Sequence, residues 1–442
     1  MKKINPDKYA ACAFLLFFCM FLAGCTETVT VPESSRQKEE PEPAVQKEEP
    51  SPAPSESEPS KPHPSMPMPE AVNTFNWDFY DNLDTSSNIF YSPLSLESAL
   101  VMTLAGAKGD TFDELAGVLC TADPDAFMEG YSSLSSGYTG DSARLTLADS
   151  LWIDKTFEKE NSVDPGFISK LEDEMDAEVI MEDFKNKPDK ASAHIAKWVS
   201  KKTEGLIDGY SPAANSETVL DIINAIYFFG EWKTKFDAND TYEMEFRTVN
   251  GEKNVDMMQH YDKFFRYYKG NGFKGIELPY GNESAVMDII LSEDDSDLSV
   301  PESFKRLSAE EREELISSIS SSEEAKISVL RLPKFTMDIS PEGLKEILQK
   351  MGIRSAFDRG AADFSGIAKD LYISDIAHRA KIEVDEEGSR AAAVTEITMS
   401  VTGMLIEEEE ERIEFICDRP FVFVIRDKTT GTILFTGAVN EP

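Results

Sequence analysis

Strand-like runs crowd the second half of the chain, and this uneven distribution is the feature that most constrains the fold. The runs are rich in β-branched and aromatic residues; they read VLDIINAIYFFG, SAVMDIILS, KISVLRLPKFTMDI, FVFVIRD and TILFTGAV. The first half carries helical periodicity, as in LSLESALVMTLAGA, which follows Ser92-Pro93 as a start signal. Because no linker or repeat divides these patterns, we predict one large α+β domain over residues 71–442.

The first 24 residues predict a secretory signal peptide. Lys2, Lys3 and Lys8 precede the apolar core ACAFLLFFCMF, which is shorter than a membrane-spanning helix. The following LAGC resembles the lipobox of bacterial lipoproteins, which implies cleavage before Cys25 and lipidation of that residue. An ordinary signal peptide with a chance Cys is the alternative.

Residues 25–70 predict a disordered tether, because they are rich in Pro, Glu and Ser and nearly lack large apolar side chains. Together with the signal peptide, this tether predicts a secreted protein that is lipid-anchored to the outer face of a bacterial cell membrane.

Acidic residues dominate the charge of the chain. The 82 Asp and Glu residues against 44 Lys and Arg give a formal net charge of -38. Such a field repels polyanions, so we expect neither nucleic acid nor heparin as a partner. It would attract a basic partner, most strongly at low salt.

Motifs for catalysis or cofactor binding are scarce. The one formal GxGxxG match, GNGFKG at 270–275, precedes IELPY, a strand pattern rather than the helix that a dinucleotide site needs. It therefore predicts a glycine-rich turn. His194 lies in a helical pattern and His260 in an expected polar turn, where a structural histidine is the ordinary interpretation. We expect no enzyme activity, no metal site and no cofactor.

Two cysteines, Cys120 and Cys417, remain in the predicted domain. A secreted pair could form one disulfide. The apolar flanks VL and FI favour two buried thiols instead.

Seven segments resemble the serpin family. They follow the family order across residues 73–442 and read NIFYSPLSLESALVMTLAGAKGDT, NAIYFFGEWKTKF, GIELPYGNESAVMDIIL, LRLPKF, LKEILQKMGIRSAFDRGAADFSGI, ISDIAHRAKIEVDEEGSRAAAVT and DRPFVFVIRDKTTGTILFTGAVNEP. The resemblance implies three β-sheets, eight or nine helices and a reactive-centre loop near the C-terminus. In inhibitory serpins a protease cuts this loop, which then inserts into the main sheet as a strand.

The hinge of this loop has a two-residue period. By resemblance the hinge comprises Glu386, Glu387, Gly388, Ser389, Arg390, Ala391, Ala392, Ala393, Val394 and Thr395. Alternate residues Ser389, Ala391 and Ala393 are small, so they would enter the sheet interior without steric cost, whereas Arg390 would stay outside. The alternation continues to Val401, so it predicts a segment that tolerates both solvent and a pleated sheet.

The resemblance places the scissile bond between Thr402 and Gly403. Because the loop is longer than usual on its far side, Val401-Thr402 and Met404-Leu405 remain alternatives. No Lys or Arg lies between Ala391 and Glu411, which disfavours trypsin-like targets. We expect a serine protease with specificity for small or medium aliphatic residues, such as an elastase-like or subtilisin-like enzyme.

The acidic run 407–411 has two interpretations: a solvated spacer, or a surface that steers a basic protease onto the loop.

Further residues match positions that control the conformational change in the family; they are Ser92, Ser95, Asn224, His378, Trp232 and Lys334. The first four correspond to a buried polar cluster beneath the opening sheet, where donors and acceptors must pair. Lys334 matches a position that pairs with the equivalent of Glu386, and Trp232 packs nearby. We expect a monomeric inhibitor; the alternative is a surface binding lipoprotein with a non-inhibitory serpin fold.

Overall fold

The computed structural model describes residues 65–140, 142–210, 214–281, 283–389 and 412–442. The helices within these ranges are α1 Met68–Tyr80, α2 Pro93–Leu104, α3 Gly109–Val118, α4 Pro124–Ser136, α5 Lys155–Asn161, α6 Pro165–Met175, α7 Pro188–Lys202, α8 Val300–Lys305, α9 Ala309–Ser321 and α10 Leu344–Met351. Of these helices, none is long and apolar enough to cross a bilayer. The first helix begins slightly before the predicted domain boundary at residue 71.

The strands in the same ranges are β1 Ile89–Tyr91, β2 Ala143–Asp154, β3 Glu178–Glu182, β4 Leu220–Glu231, β5 Tyr242–Thr248, β6 Gly251–Gly270, β7 Phe273–Pro279, β8 Ala285–Ser292, β9 Glu324–Pro333, β10 Phe335–Ile339, β11 Asp375–Val384, β12 Gly388–Ser389, β13 Ile413–Ile416, β14 Phe421–Asp427 and β15 Ile433–Val439.

These strands form two hydrogen-bonded sheets within the described ranges. A nine-stranded sheet has the order β1-β15-β14-β8-β7-β6-β9-β13, with β5 added on β6, and a six-stranded sheet has the order β10-β11-β12-β4-β2-β3. The α+β class is confirmed. Two sheets are seen where three were expected because the 20-residue strand β6 pairs with β5 at one end and with β7 at the other. The described helices number ten, where eight or nine were expected.

Helix α2 forms the centre of the core. All twelve of its residues are buried, and a helix without a solvent face has to be enclosed by the fold. The Ser92 side chain caps it by accepting a hydrogen bond from the backbone N–H of Ser95, and Pro93 is its first residue, as the start signal predicts. The helix contacts β2 and β4 of one sheet and β15 of the other. It therefore delivers its few polar side chains to the underside of the six-stranded sheet.

Strand β6 contains His260 and ends at the GxGxxG segment, and it decides the predictions made for both. The GxGxxG segment is a hairpin turn, in which Gly270 pairs with Phe273 across Asn271 and Gly272, both at positive φ. His260, expected in a polar turn, instead lies buried within β6 and stacks on Phe236 at 4.1 Å. The sequence around His260 did not predict a strand, because β6 is buried over only part of its length and its exposed residues are polar. Burial lowers the pKa of His260 to about 4.

The two domain cysteines are buried free thiols, as their apolar flanks predict. Burial raises the pKa of Cys120 to about 11 and raises that of Cys417 further, so both stay protonated and unreactive at neutral pH.

The run KISVLRLPKFTMDI, predicted as continuous, is divided at Lys334. The part before it, β9, belongs to the nine-stranded sheet, and the part after it, β10, belongs to the six-stranded sheet. Lys334 therefore lies where the chain crosses between sheets, beside the end of β11.

Candidate functional site

The parallel pairing of β4 with β11, called the seam below, is the candidate site. It runs over seven residue pairs, from Asp221 opposite Asp375 to Tyr227 opposite Lys381. Beyond this pairing the short strand β12 lies between the two strands: Ser389 is opposite Gly230 on β4 and opposite Val384 on β11. One end of the seam thus already holds an additional antiparallel strand.

A tight turn returns the chain from β11 into β12. The Asp385 carboxylate accepts hydrogen bonds from the backbone N–H groups of Glu387 (3.0 Å) and Gly388 (3.3 Å), while its own N–H donates to the Gly388 carbonyl. Burial raises the pKa of Asp385, and these two N–H donors partly offset the effect. The turn is therefore specified by local hydrogen bonds.

Trp232 holds the turn from outside. Its indole N–H donates to the Asp385 carbonyl at 2.9 Å, and its backbone N–H donates to the Glu387 carbonyl at 2.8 Å. The ring stacks on Tyr280 with centroids 4.6 Å apart, and the Tyr280 hydroxyl is 2.9 Å from the buried Ser389 hydroxyl. Trp232 is thus more than a packing residue, since it binds the backbone of the hinge.

Glu386 lies at the centre of a charged network beside the turn. Its carboxylate accepts from the Lys334 ammonium and from the Thr241 hydroxyl, each at 2.8 Å. Burial alone would raise the pKa of Glu386, but these hydrogen bonds outweigh it and the pKa is lowered. The neighbouring Glu387 pairs with Lys235 at 2.7 Å. The hinge is therefore held by its side chains as well as by its backbone.

Gly388 occupies a place that only glycine fits. Its φ is +152°, and an added Cβ would lie 2.1 Å from the Gly230 carbonyl oxygen and 2.6 Å from the Glu231 Cα. Both neighbouring atoms are backbone atoms of β4, which cannot move aside as a flexible side chain could.

We expect Gly388→Ala to destabilise the uncut protein by at least about 2 kcal/mol, because it combines a disfavoured backbone conformation with a backbone clash. Gly431→Ala is the matched control: Gly431 has φ +75° but no atom near its added Cβ, so we expect a cost of only about 1 kcal/mol. Urea unfolding of the two variants and the parent measures the difference. Equal shifts would contradict the tight fit of β12 against β4.

A buried polar cluster crosses the middle of the seam. The backbone N–H of Ser92 donates to His378 Nε2 at 3.1 Å, so the proton is on Nδ1, which donates to Asn224 Oδ1 at 2.6 Å. The same Asn224 oxygen accepts from the Ser95 hydroxyl at 2.7 Å. Burial lowers the pKa of His378 to about 3 and keeps the ring neutral. The Asn224 to His378 hydrogen bond is therefore a direct side-chain link between β4 and β11.

Comparison with known proteins places the chain in a family. Residues 70–442 match the family described as Serpin (serine protease inhibitor). The chain belongs to the serpin family.

Individual relatives agree with this assignment. An uncharacterized serpin-like protein of Thermococcus kodakarensis is 34% identical over 383 residues, covering 85% of this chain and 86% of the relative. The leukocyte elastase inhibitor of Bos taurus is 34% identical over 386 residues, covering 84% of this chain and 99% of the relative. The native structure of the thermophilic serpin tengpin superposes with a TM-score of 0.74 at 26% identity, covering 84% of this chain and 93% of that one.

The structure brings together most of the described residues singled out in this serpin from sequence. Ser92, Ser95, Asn224 and His378 form one hydrogen-bonded cluster. Lys334 and Trp232 both contact the hinge turn. The hinge residues from Arg390 to Thr395 and the proposed scissile bond lie outside the described residues, as do Cys25 and the acidic run 407–411.

Sequence reasoning missed part of the cluster. Asp149 on β2 accepts from Asn224 Nδ2 at 2.6 Å and from the Tyr131 hydroxyl, and Ser98 lies 3.4 Å from the same carboxylate. Burial raises the pKa of Asp149, and these hydrogen bonds partly offset that effect. The available signal was an Asp inside the apolar run LTLADSLWI, where a buried carboxylate requires partners.

Proposed function

We propose that this serpin is an extracellular, membrane-anchored inhibitor of serine proteases that acts by inserting its cut loop into the seam. The observation that carries the proposal is strand β12: at one end of the seam Ser389 of the hinge already pairs with both β4 and β11, and Gly388 pairs with β4. Insertion would extend that pairing along the remaining seven residue pairs. Each added residue would gain ladder hydrogen bonds on both sides.

The register of β12 fits the hinge sequence. If insertion continues the pairing of Ser389 with Gly230, Ala391 and Ala393 would lie on the core-facing side of β4, where small side chains meet least resistance. The same register, continued further, would bring Thr395 opposite both Asn224 and His378. Insertion would break the link between these two residues and supply a hydroxyl, which both donates and accepts, in its place.

The chemistry belongs to the target protease. Its serine oxygen attacks the carbonyl carbon of Thr402, the bond to the Gly403 nitrogen breaks, and that nitrogen takes the proton from the protease's general base. The ester that remains joins the protease to the loop. Insertion then carries the protease away from its productive geometry before water hydrolyses the ester.

Two features support the target class and the location. The loop sequence lacks Lys and Arg around the proposed bond, and a relative at 34% identity is named a leukocyte elastase inhibitor. We therefore propose elastase-like or subtilisin-like targets. The lipobox-like LAGC and the tether to residue 70 support anchoring through Cys25.

Mixing the purified protein with pancreatic elastase tests the proposal. We expect a complex that survives heating in detergent and has the added mass of both proteins, because the acyl ester is covalent. Elastase with a blocked active-site serine should form none. Thr402→Arg should reduce complex formation with elastase and create it with trypsin, since trypsin requires a basic residue at the cut. A loop that is merely nicked or left intact by elastase would instead indicate a non-inhibitory binding protein.

A further inference from the structure

Two carboxylates face each other at the end of the seam farthest from β12. Asp221, near the start of β4, is opposite Asp375, the first residue of β11. Asp221 is only 4% exposed, and its Oδ1 has no hydrogen-bond partner among the described residues. Residues of like charge directly opposite each other on paired strands destabilise the pairing. The last pair that insertion would separate is therefore the one whose side chains repel when ionised.

The surroundings compensate the charge of this pair only in part. On β2 the residue opposite Asp221 is Trp152, which carries no charge. Lys345 on α10 acts on Asp221 through space, but its ammonium donates to the Ser374 carbonyl at 3.0 Å. Arg379 on β11 pairs with Asp338 at 2.9 Å and lies over the Tyr210 ring. Lys345 therefore offsets the burial of Asp221 only in part, and Arg379 has its ion pair with another carboxylate.

We propose that Asp221 and Asp375 set how readily β4 and β11 separate, so that seam opening depends on pH. This proposal rests on the proposed insertion mechanism. With Asp221 protonated, its side chain carries no charge to repel Asp375, and the strands stay paired. With both ionised, the burial of the Asp221 carboxylate and the charge of Asp375 favour separation, because the separated strands expose Asp221 to water. These residues position the strands and take no part in the chemistry at the scissile bond.

The pH range follows from the environment of Asp221. Burial, and next the charge of Asp375, raise its pKa from 3.8 to about 8, while Lys345 lowers it. A pKa raised in the closed seam means that the closed state binds the proton more tightly than the open state. The stabilisation is therefore complete below the ordinary pKa and is lost as pH rises through about 8.

Hydrogen exchange followed by mass spectrometry tests the proposal without any protease. We compare parent and Asp221→Asn at pH 5 and pH 9, taking the ratio of exchange rates at each pH so that the intrinsic pH dependence cancels. For peptides covering 220–231 and 375–384, we expect the parent-to-variant ratio to rise at least about tenfold between the two pH values, since each pH step of one changes the ionised fraction up to tenfold. Peptides covering β8 should show no change.

Two further variants test whether the pH dependence belongs to the Asp221 and Asp375 pair. Asp375→Asn, at an exposed position, should leave the fold intact and should also flatten the pH dependence. Glu217→Gln removes an exposed carboxylate in the turn before β4 and should behave as the parent. The proposal is overturned if the parent-to-variant ratio of exchange rates is the same at pH 5 and pH 9 for Asp221→Asn and for Asp375→Asn. This outcome counts whether or not the protein inhibits proteases. A normal pH response with no protease complex would overturn only the inhibitory function.

Discussion

Ala391→Arg should convert the inhibitor into a substrate. If insertion continues the register of β12, residue 391 would lie on the core side of β4, opposite Phe228, which is 1% exposed. An unpaired guanidinium there costs several kcal/mol, so insertion should slow by about 100-fold or more, and hydrolysis of the ester should outrun it. We expect elastase to cut the variant at the parental rate while the covalent complex disappears from the denaturing gel.

Arg390→Ala is the control for this substitution. Residue 390 has the opposite parity and should face away from the core, so we expect complex formation close to that of the parent. Ser389 is a less informative position, because its hydroxyl already lies buried against Tyr280 in the uncut protein. Protease trapping by Ala391→Arg at the parental stoichiometry would refute the inward assignment.

Cleavage of the loop should raise the melting temperature by about 10 °C or more. Insertion would add ladder hydrogen bonds along the seam and bury Ile397 and Met399, at about 1.5–3 kcal/mol for each side chain. The gain is on the order of 10 kcal/mol, and each kcal/mol moves the melting temperature by about 1–2 °C in a domain of this size. Melting curves followed by circular dichroism before and after limited proteolysis of the loop measure the change.

The Ala391→Arg variant supplies the matched control for this measurement. Its loop is cut but should fail to insert, so its melting temperature should stay near that of the uncut protein. If the nicked parent melts together with the intact parent, the seam does not accept the loop and the inhibitory mechanism fails. Equal gains in parent and variant would show that the stabilisation arises elsewhere.

The polar cluster explains how the seam can be both stable and separable. Asn224 and His378 are fully buried, yet every polar atom named in their cluster has a partner. A satisfied network of this kind specifies one arrangement of the strands. It also offers hydrogen-bonding groups to an incoming polar residue, which a hydrophobic contact would not. We therefore interpret the Asn224 to His378 hydrogen bond as a link between β4 and β11 that hydrogen bonds to an inserted strand can replace.

Local patterns in the sequence determined several of the helices, strands and turns. The apolar stretch of α2 and its Ser92-Pro93 start predict a buried capped helix, and the Asn271-Gly272 pair predicts a turn, because caps and turns depend on a few adjacent residues. The division of KISVLRLPKFTMDI into two strands escapes such reasoning, since both halves have the same alternation and only their partners differ.

The tertiary structure alone decided which residues meet at the seam. The alternation of the hinge was visible in the sequence, but the pairing of Ser389 with Gly230 and Val384 depends on how far β4 and β11 diverge. Asp221 and Asp375 are separated by more than 150 residues in the chain. Each is unremarkable in its own segment, and only parallel pairing sets them opposite each other. Electrostatic coupling falls with distance in space and not along the chain, so no local pattern could have predicted it.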